Sequence, residues 1–132
     1  MEDYLKKAKT FLDANTNTVL ILIFTNPDEI SVKDKWKLAF DNTGTPALTH
    51  SPFHKQHTHY TNDLGITPLA FVPKSLPVKQ SGWPTLGEMI DSGKRVIVFL
   101  DSGADTVAVD FILPEFQMVS CSHDVVLPFI GR

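Results

Sequence analysis

A chain of 132 residues is long enough for one domain and too short for two full ones. With 42% hydrophobic residues it is ordinary globular material, and a net charge of −3 with scattered basic residues argues against a nucleic-acid partner, which calls for a basic face. The longest apolar runs, Val19–Phe24 and Val96–Leu100, fall far short of the roughly 20 residues of a membrane-spanning helix, and a single cysteine, Cys121, excludes an internal disulfide.

The opening MEDYLKKAK is charged and amphipathic, without the apolar core or small-residue cleavage site of a signal peptide. Residues 2–14 predict a helix with Tyr4, Leu5, Ala8, Phe11 and Leu12 on one face and lysines on the other. Asn15–Asn17 breaks it, and Val19–Phe24 predicts a buried strand ending in the turn Thr25-Asn26-Pro27-Asp28. Ser31 reads as an N-cap with Asp34 at the third helical position, opening a helix to about Phe40 whose inward stripe is Val32, Trp36 and Phe40.

Residues 43–64 show neither helical nor strand period, and a structureless connection of that length is foreign to a compact domain. Leu69–Val72 predicts a short strand closed by Pro73-Lys74-Ser75-Leu76-Pro77. Thr85 and Glu88 form a capping box, followed by Leu86, Met89 and Ile90 on one helical face and by Gly93, which can take the left-handed conformation that ends a helix. Val96–Leu100 is apolar without alternation, so both its faces should be covered, as in parallel sheets. Val109–Phe116 predicts a short helix or turn interrupted at Pro114. The tail 120–132 offers only Val125–Leu127 as an edge strand. Helix and strand alternate, which predicts an α/β fold with about three parallel strands.

The unit WPTLGEMIDSGKRVIVFLDSGAD, residues 83–105, resembles the fungal branch of the phosphatidylinositol-specific phospholipase C-like phosphodiesterases. Four further blocks agree in order: EDYLKKAKTFLDAN at 2–15, VLILIFTNPD at 19–28, GITPLAFVP at 65–73 and VDFILPEFQMV at 109–119. The resemblance implies a TIM-type barrel, of which this chain would be a partial, internal piece over residues 1–119, interrupted by 43–64 and followed by an atypical tail, 120–132. Removing 43–64 joins Asp41-Asn42 to Gly65-Ile66 and restores a family-like connection, so both departures are expected to be translated non-coding or mis-spliced sequence.

The activity implied is that of a phosphoric diester hydrolase of lipid metabolism: an inositol hydroxyl attacks phosphorus and diacylglycerol leaves. By resemblance, one histidine serves as base and another as acid, supported by an arginine and an aspartate. Those histidines belong to strands upstream of the blocks matched here, so no catalytic residue is assigned and the chain alone is expected to be inactive. An inositol phospholipid or other phosphodiester is the ligand expected of the full-length parent. The alternatives are a non-catalytic lipid- or partner-binding remnant, or the product of a truncated reading of a longer gene. Localisation stays open: the family is often extracellular or cell-surface, whereas no signal peptide opens this sequence.

Polar residues past the carboxyl ends of parallel strands are where α/β proteins place their sites. Asn26 and Asp28 follow the first strand, and a neutral Thr25-Asn26 where calcium-dependent relatives carry a carboxylate implies no metal and no cofactor; the same residues also make an ordinary turn. Lys74 can attract a phosphate as a point charge, or be a solvated surface lysine. Asp101 and Asp105 flank the turn after the third predicted strand, where carboxylates accept sugar hydroxyls; a site role fits Asp101 better, and capping of the next turn fits Asp105. Trp83 reads as packing beside the helix start, with a membrane interface as the other option for its indole. His50, His54, His57 and His59 lie within ten residues of one another, but no carboxylate or thiolate completes a closed metal site and none matches a family motif.

Overall fold

Five consecutive buried residues, Val96–Leu100, form the central strand of an open three-stranded parallel sheet. The computed structural model describes residues 1–44 and 65–118; the histidine-rich stretch, Cys121 and Val125–Leu127 lie outside them. In chain order the elements are α1 (Glu2–Ala14), β1 (Leu20–Phe24), a π-helical turn (Val32–Trp36) running into α2 (Lys37–Asp41), 3-10 turns at Thr67–Leu69 and Gln80–Gly82, α3 (Leu86–Asp91), β2 (Val96–Leu100), β3 (Ile112–Pro114) and α4 (Glu115–Met118). The sheet order is β1-β2-β3, with Leu20 opposite Val96, Phe24 opposite Leu100 and Val98 opposite Ile112.

Both faces of β2 are covered, as its unbroken apolar run requires. Val96, Val98 and Leu100 face a core built from Leu5, Ala8 and Leu12 of α1, Leu22 of β1, and Val32, Trp36, Ala39 and Phe40. Ile97 and Phe99 face the opposite way, against Leu113, Met89 of α3, Phe71 and Trp83. Helices therefore lie on both faces of the sheet, whereas a closed barrel carries them all outside. With the sheet open, residues of this chain cover the second face of β2, and they leave β1 uncovered there: Ile21 and Ile23 are 58% and 61% exposed.

Local signals largely decide where the elements begin. Ser31 Oγ accepts from the Asp34 N–H (3.2 Å), so the second helical segment starts where the N-cap places it. Val32, Trp36 and Phe40 are all buried as its inward stripe. Arg95 anchors the end of α1: its Nη1 donates to the carbonyls of Leu12 and Asn15, both at 3.0 Å, satisfying acceptors that a helix end leaves open.

Elsewhere the structure departs from the sequence expectation. In α1 only Leu5, Ala8 and Leu12 are buried. Tyr4 and Phe11 sit on the flanks, Tyr4 meeting Phe24 edge-on at 6.0 Å. Leu86 is exposed, and Met89 alone carries the inward face of α3. Leu69–Val72 is not a strand: Pro68 sits in the 3-10 turn, and only Ala70 bridges to Val96. The Phe71 N–H donates to the Val96 carbonyl while Leu20 donates to that of Arg95. Successive carbonyls of a strand point to opposite edges, so this chain flanks the edge of β2 that β3 uses further along. The third strand is instead Ile112–Pro114, within a stretch expected to be helix or turn; Pro114 is tolerated as its last residue. Thr43 is buried as well, donating to the Phe40 carbonyl (2.6 Å) and accepting from the Ile66 N–H (2.7 Å), so it belongs to the fold rather than to a structureless segment.

The capping box at α3 is present in full. Thr85 Oγ1 accepts from the Glu88 N–H (3.3 Å), and Glu88 Oε2 accepts from the Thr85 N–H (2.7 Å) and hydroxyl (2.9 Å). The Thr85 backbone bond, then its hydroxyl, hold the Glu88 carboxyl below its ordinary value against a small opposing effect of burial. A carboxylate with a lowered folded-state pKa stabilises the fold above its unfolded value, and that contribution is lost as pH falls through the folded value. The stability difference between the protein and Glu88→Gln should therefore shrink on acidification below the ordinary carboxylate range. Parallel stability curves across that range would contradict the box.

Candidate functional site

The carboxyl ends of β1 and β2 meet at Asn26. Parallel pairing brings Phe24 opposite Leu100, so the residues that follow each strand emerge side by side. Asn26 is 1% exposed, and its polar groups all face partners. Its backbone N–H donates to Asp101 Oδ1 (2.7 Å). Its side-chain Nδ2 donates to the carbonyls of Ile30 (3.1 Å) and Ser102 (3.4 Å), while Oδ1 accepts from the Ile30 N–H (2.9 Å). Its carbonyl accepts from Ser102 Oγ (2.8 Å) and from the Glu29 N–H (3.1 Å). Ser102 Oγ also lies 3.3 Å from Asp101 Oδ1. A hydroxyl has one proton, so the shorter contact is the bond and the longer one its alternative.

This circuit depends on the turn after β2. Gly103 sits at φ +73°, a conformation L side chains rarely adopt, and a Cβ there would come within 3.1 Å of Asn26 Nδ2. The glycine thus lets the chain turn and leaves room for the amide.

The other candidates stand differently. Asp105 Oδ1 accepts from the N–H groups of Val107 (3.0 Å) and Ala108 (3.1 Å), which makes it the cap of the next turn. Asp28 is exposed on the rim of a groove of about 410 Å³, lined also by Tyr4, Ile23, Phe24, Ile30 and Trp36. Trp36 Nε1 is buried there without an acceptor among the described residues. Lys74 lines a different and larger concavity, of about 1130 Å³, formed by residues 71–79 and 81–85 together with Glu88 and Ser92. The structure therefore joins Asn26 to Asp101 directly, sets Asp28 and Asp105 beside the turns that follow β1 and β2, and assigns Lys74 to separate surroundings.

Sequence reasoning passed over Ser102, although a hydroxyl beside Asp101 after a strand was signal enough. The buried Trp36 donor carried no such signal. Among the described residues no group of three or more His, Cys, Asp or Glu side chains is placed to hold a metal ion, and no helix is long and apolar enough to cross a membrane.

Comparison with known proteins adds what geometry alone does not. The sequence model described as PI-PLC X 1 matches residues 1–61 and 53–126. The PI-PLC X domain-containing protein 1 of Arthroderma benhamiae is 35% identical over 117 residues, covering 89% of this chain and 31% of that protein. A second protein of the same organism, called "Uncharacterized secreted protein", is 30% identical over 119 residues, covering 90% of this chain and 22% of its own length. The chain thus spans less than a third of either relative. No solved structure matches it.

Proposed function

The chain belongs to the PI-PLC X domain family, and from that membership we propose that it is one portion of a phosphatidylinositol-specific, phospholipase C-like phosphoric diester hydrolase of lipid metabolism, without a working catalytic centre of its own. The open parallel sheet is read as part of a TIM-type barrel, with Asn26, Asp28, Asp101 and Asp105 on the rim. The observation that carries the proposal is the circuit at the strand ends. Asn26 and Asp101 are committed to each other and to Ser102, and Asp105 caps a turn. None of these groups is left paired with a second free acid or base, as proton transfer to and from a phosphodiester requires.

The interruption fits the same reading. Thr43 and Ile66 are joined through a 2.7 Å bond, and Thr67 Oγ1 donates to Asp41 Oδ1 (2.8 Å), so the fold closes across the ends of the intervening segment. That supports an insert between two parts of one domain, although it keeps Thr43 with the domain. The family match also breaks into two overlapping stretches within this region.

A positioned acid and base each contribute about 10²–10⁴-fold to such a reaction. Without them the purified 132-residue chain should release no inositol phosphate from phosphatidylinositol vesicles above a buffer control, with or without calcium. Turnover above that control, with or without calcium, would overturn the proposal. A second reading, a partner-binding remnant, is favoured by β1, which pairs only with β2 among the described residues and exposes Ile21 and Ile23 on its uncovered face.

A further inference from the structure

From Phe71 to Gly87 the chain carries two lysines, Lys74 and Lys79, and no carboxylate, although the whole chain is net negative. The first acid beyond, Glu88, is engaged by Thr85. Both lysines are exposed, and neither takes part in the ion pairs formed among the described residues. Between and beside them stand exposed aliphatic side chains, Val72 at 43% and Leu76 at 41%. The segment is seated on the sheet from beneath. Trp83 packs between Phe71 (5.7 Å) and Phe99 (6.1 Å), and the Val78 N–H reaches Met118 Sδ (3.4 Å). Its aromatic residues therefore bind it to the protein, while its outward residues are aliphatic and cationic.

We propose that the 72–84 loop is a peripheral docking surface for an anionic lipid bilayer, Val72 and Leu76 entering the headgroup boundary and Lys74 and Lys79 lying against its negative charge. Aliphatic side chains partition into that boundary in proportion to the apolar area they bury. Cations beside it gain from the surface potential only within about a Debye length, so direct apposition is required. Charge complementarity selects this occupant: an acidic protein partner would be met by the lysines alone, whereas a bilayer uses both the lysines and the aliphatic residues. The proposal rests on the lipid-hydrolase reading above but requires no catalytic centre.

The test is co-sedimentation of the full 132-residue chain with phosphatidylcholine vesicles, with and without phosphatidylserine, at low and high salt. Binding is expected with phosphatidylserine and is expected to weaken with salt. Each lysine neutralised should lower partition about fivefold, and Lys74→Gln with Lys79→Gln together about 25-fold. Leu76→Ser with Val72→Ser should also lower it, with unchanged circular dichroism in every variant. No binding, or equal binding by the lysine variant, would overturn the proposal. So would binding that appears only when phosphatidylinositol replaces phosphatidylserine at equal charge, since that is headgroup recognition. The phosphatidylserine vesicles carry no inositol lipid, so the absence of hydrolysis has no bearing on binding to them.

Discussion

Asn26→Ala is expected to destabilise the protein by about 3 kcal/mol or more, read as a lower denaturation midpoint in urea with an unchanged slope. The side chain is buried and serves three backbone groups: the Ile30 N–H, the Ile30 carbonyl and the Ser102 carbonyl. Alanine leaves all three without that partner beside a buried position, and an unsatisfied buried group costs about 1–3 kcal/mol. Single domains are stable by only about 0.05–0.15 kcal/mol per residue, so a loss of this size removes a large share of the total. Asn26→Asp should be no milder. It preserves the acceptor for Ile30 but turns a carboxylate oxygen toward two carbonyls, which repel it. A residue kept only to touch a ligand would behave otherwise: its alanine variant would bind less and fold as well as before.

The second large effect is expected at Phe40, the fully buried aromatic residue of α2. Its ring meets Phe24 of β1 edge-on (6.1 Å, 86°) and Phe111, just before β3 (5.3 Å, 64°). One side chain thus joins the second helix to the first strand and to the chain entering the third. Phe40→Ala removes both aromatic contacts and leaves a cavity, at a cost of about 3–5 kcal/mol. Phe40→Leu retains most of the volume and should cost clearly less. Thermal or urea denaturation of the two variants orders them. Equal, small losses would mean that the ring is not the joint between these elements.

What the sequence made legible was local. The Thr85–Glu88 box and the Ser31 cap act over three residues, and both stand in the structure as written. The unbroken run Val96–Leu100 announced a strand covered on two faces, because apolar residues at successive positions have no other way to leave water. Amphipathic spacing alone overestimated the buried stripes: Tyr4 and Leu86 have the right period but lie beyond the width that the sheet covers. The strand expected at Leu69–Val72 lost to Pro68 and to competition for the edge of β2, where Ala70 takes the position of Val96 and β3 pairs with Val98–Leu100.

The site was legible in part. Asn26 and Asp101 were visible as polar residues after strands. Their mutual role was not, because the bonds run between residues 75 and 76 positions apart in sequence. No local pattern distinguishes an amide that will receive a ligand from one that will be consumed by a neighbouring turn. Ser102 was visible as a hydroxyl beside Asp101, but its partner was not: the bond to the Asn26 carbonyl forms only once β1 and β2 lie side by side.

The central claim is that the strand ends are fastened to each other, and amide hydrogen exchange at Asn26 and Ile30 tests it most directly. The Asn26 N–H is held by Asp101 and the Ile30 N–H by the Asn26 side chain. If the circuit holds, both amides should exchange only through openings nearly as costly as global unfolding, and the Ile30 amide, whose acceptor is the Asn26 side chain, should lose that protection in Asn26→Ala. Exchange in the native protein as fast as that of an unbonded surface loop would contradict the account.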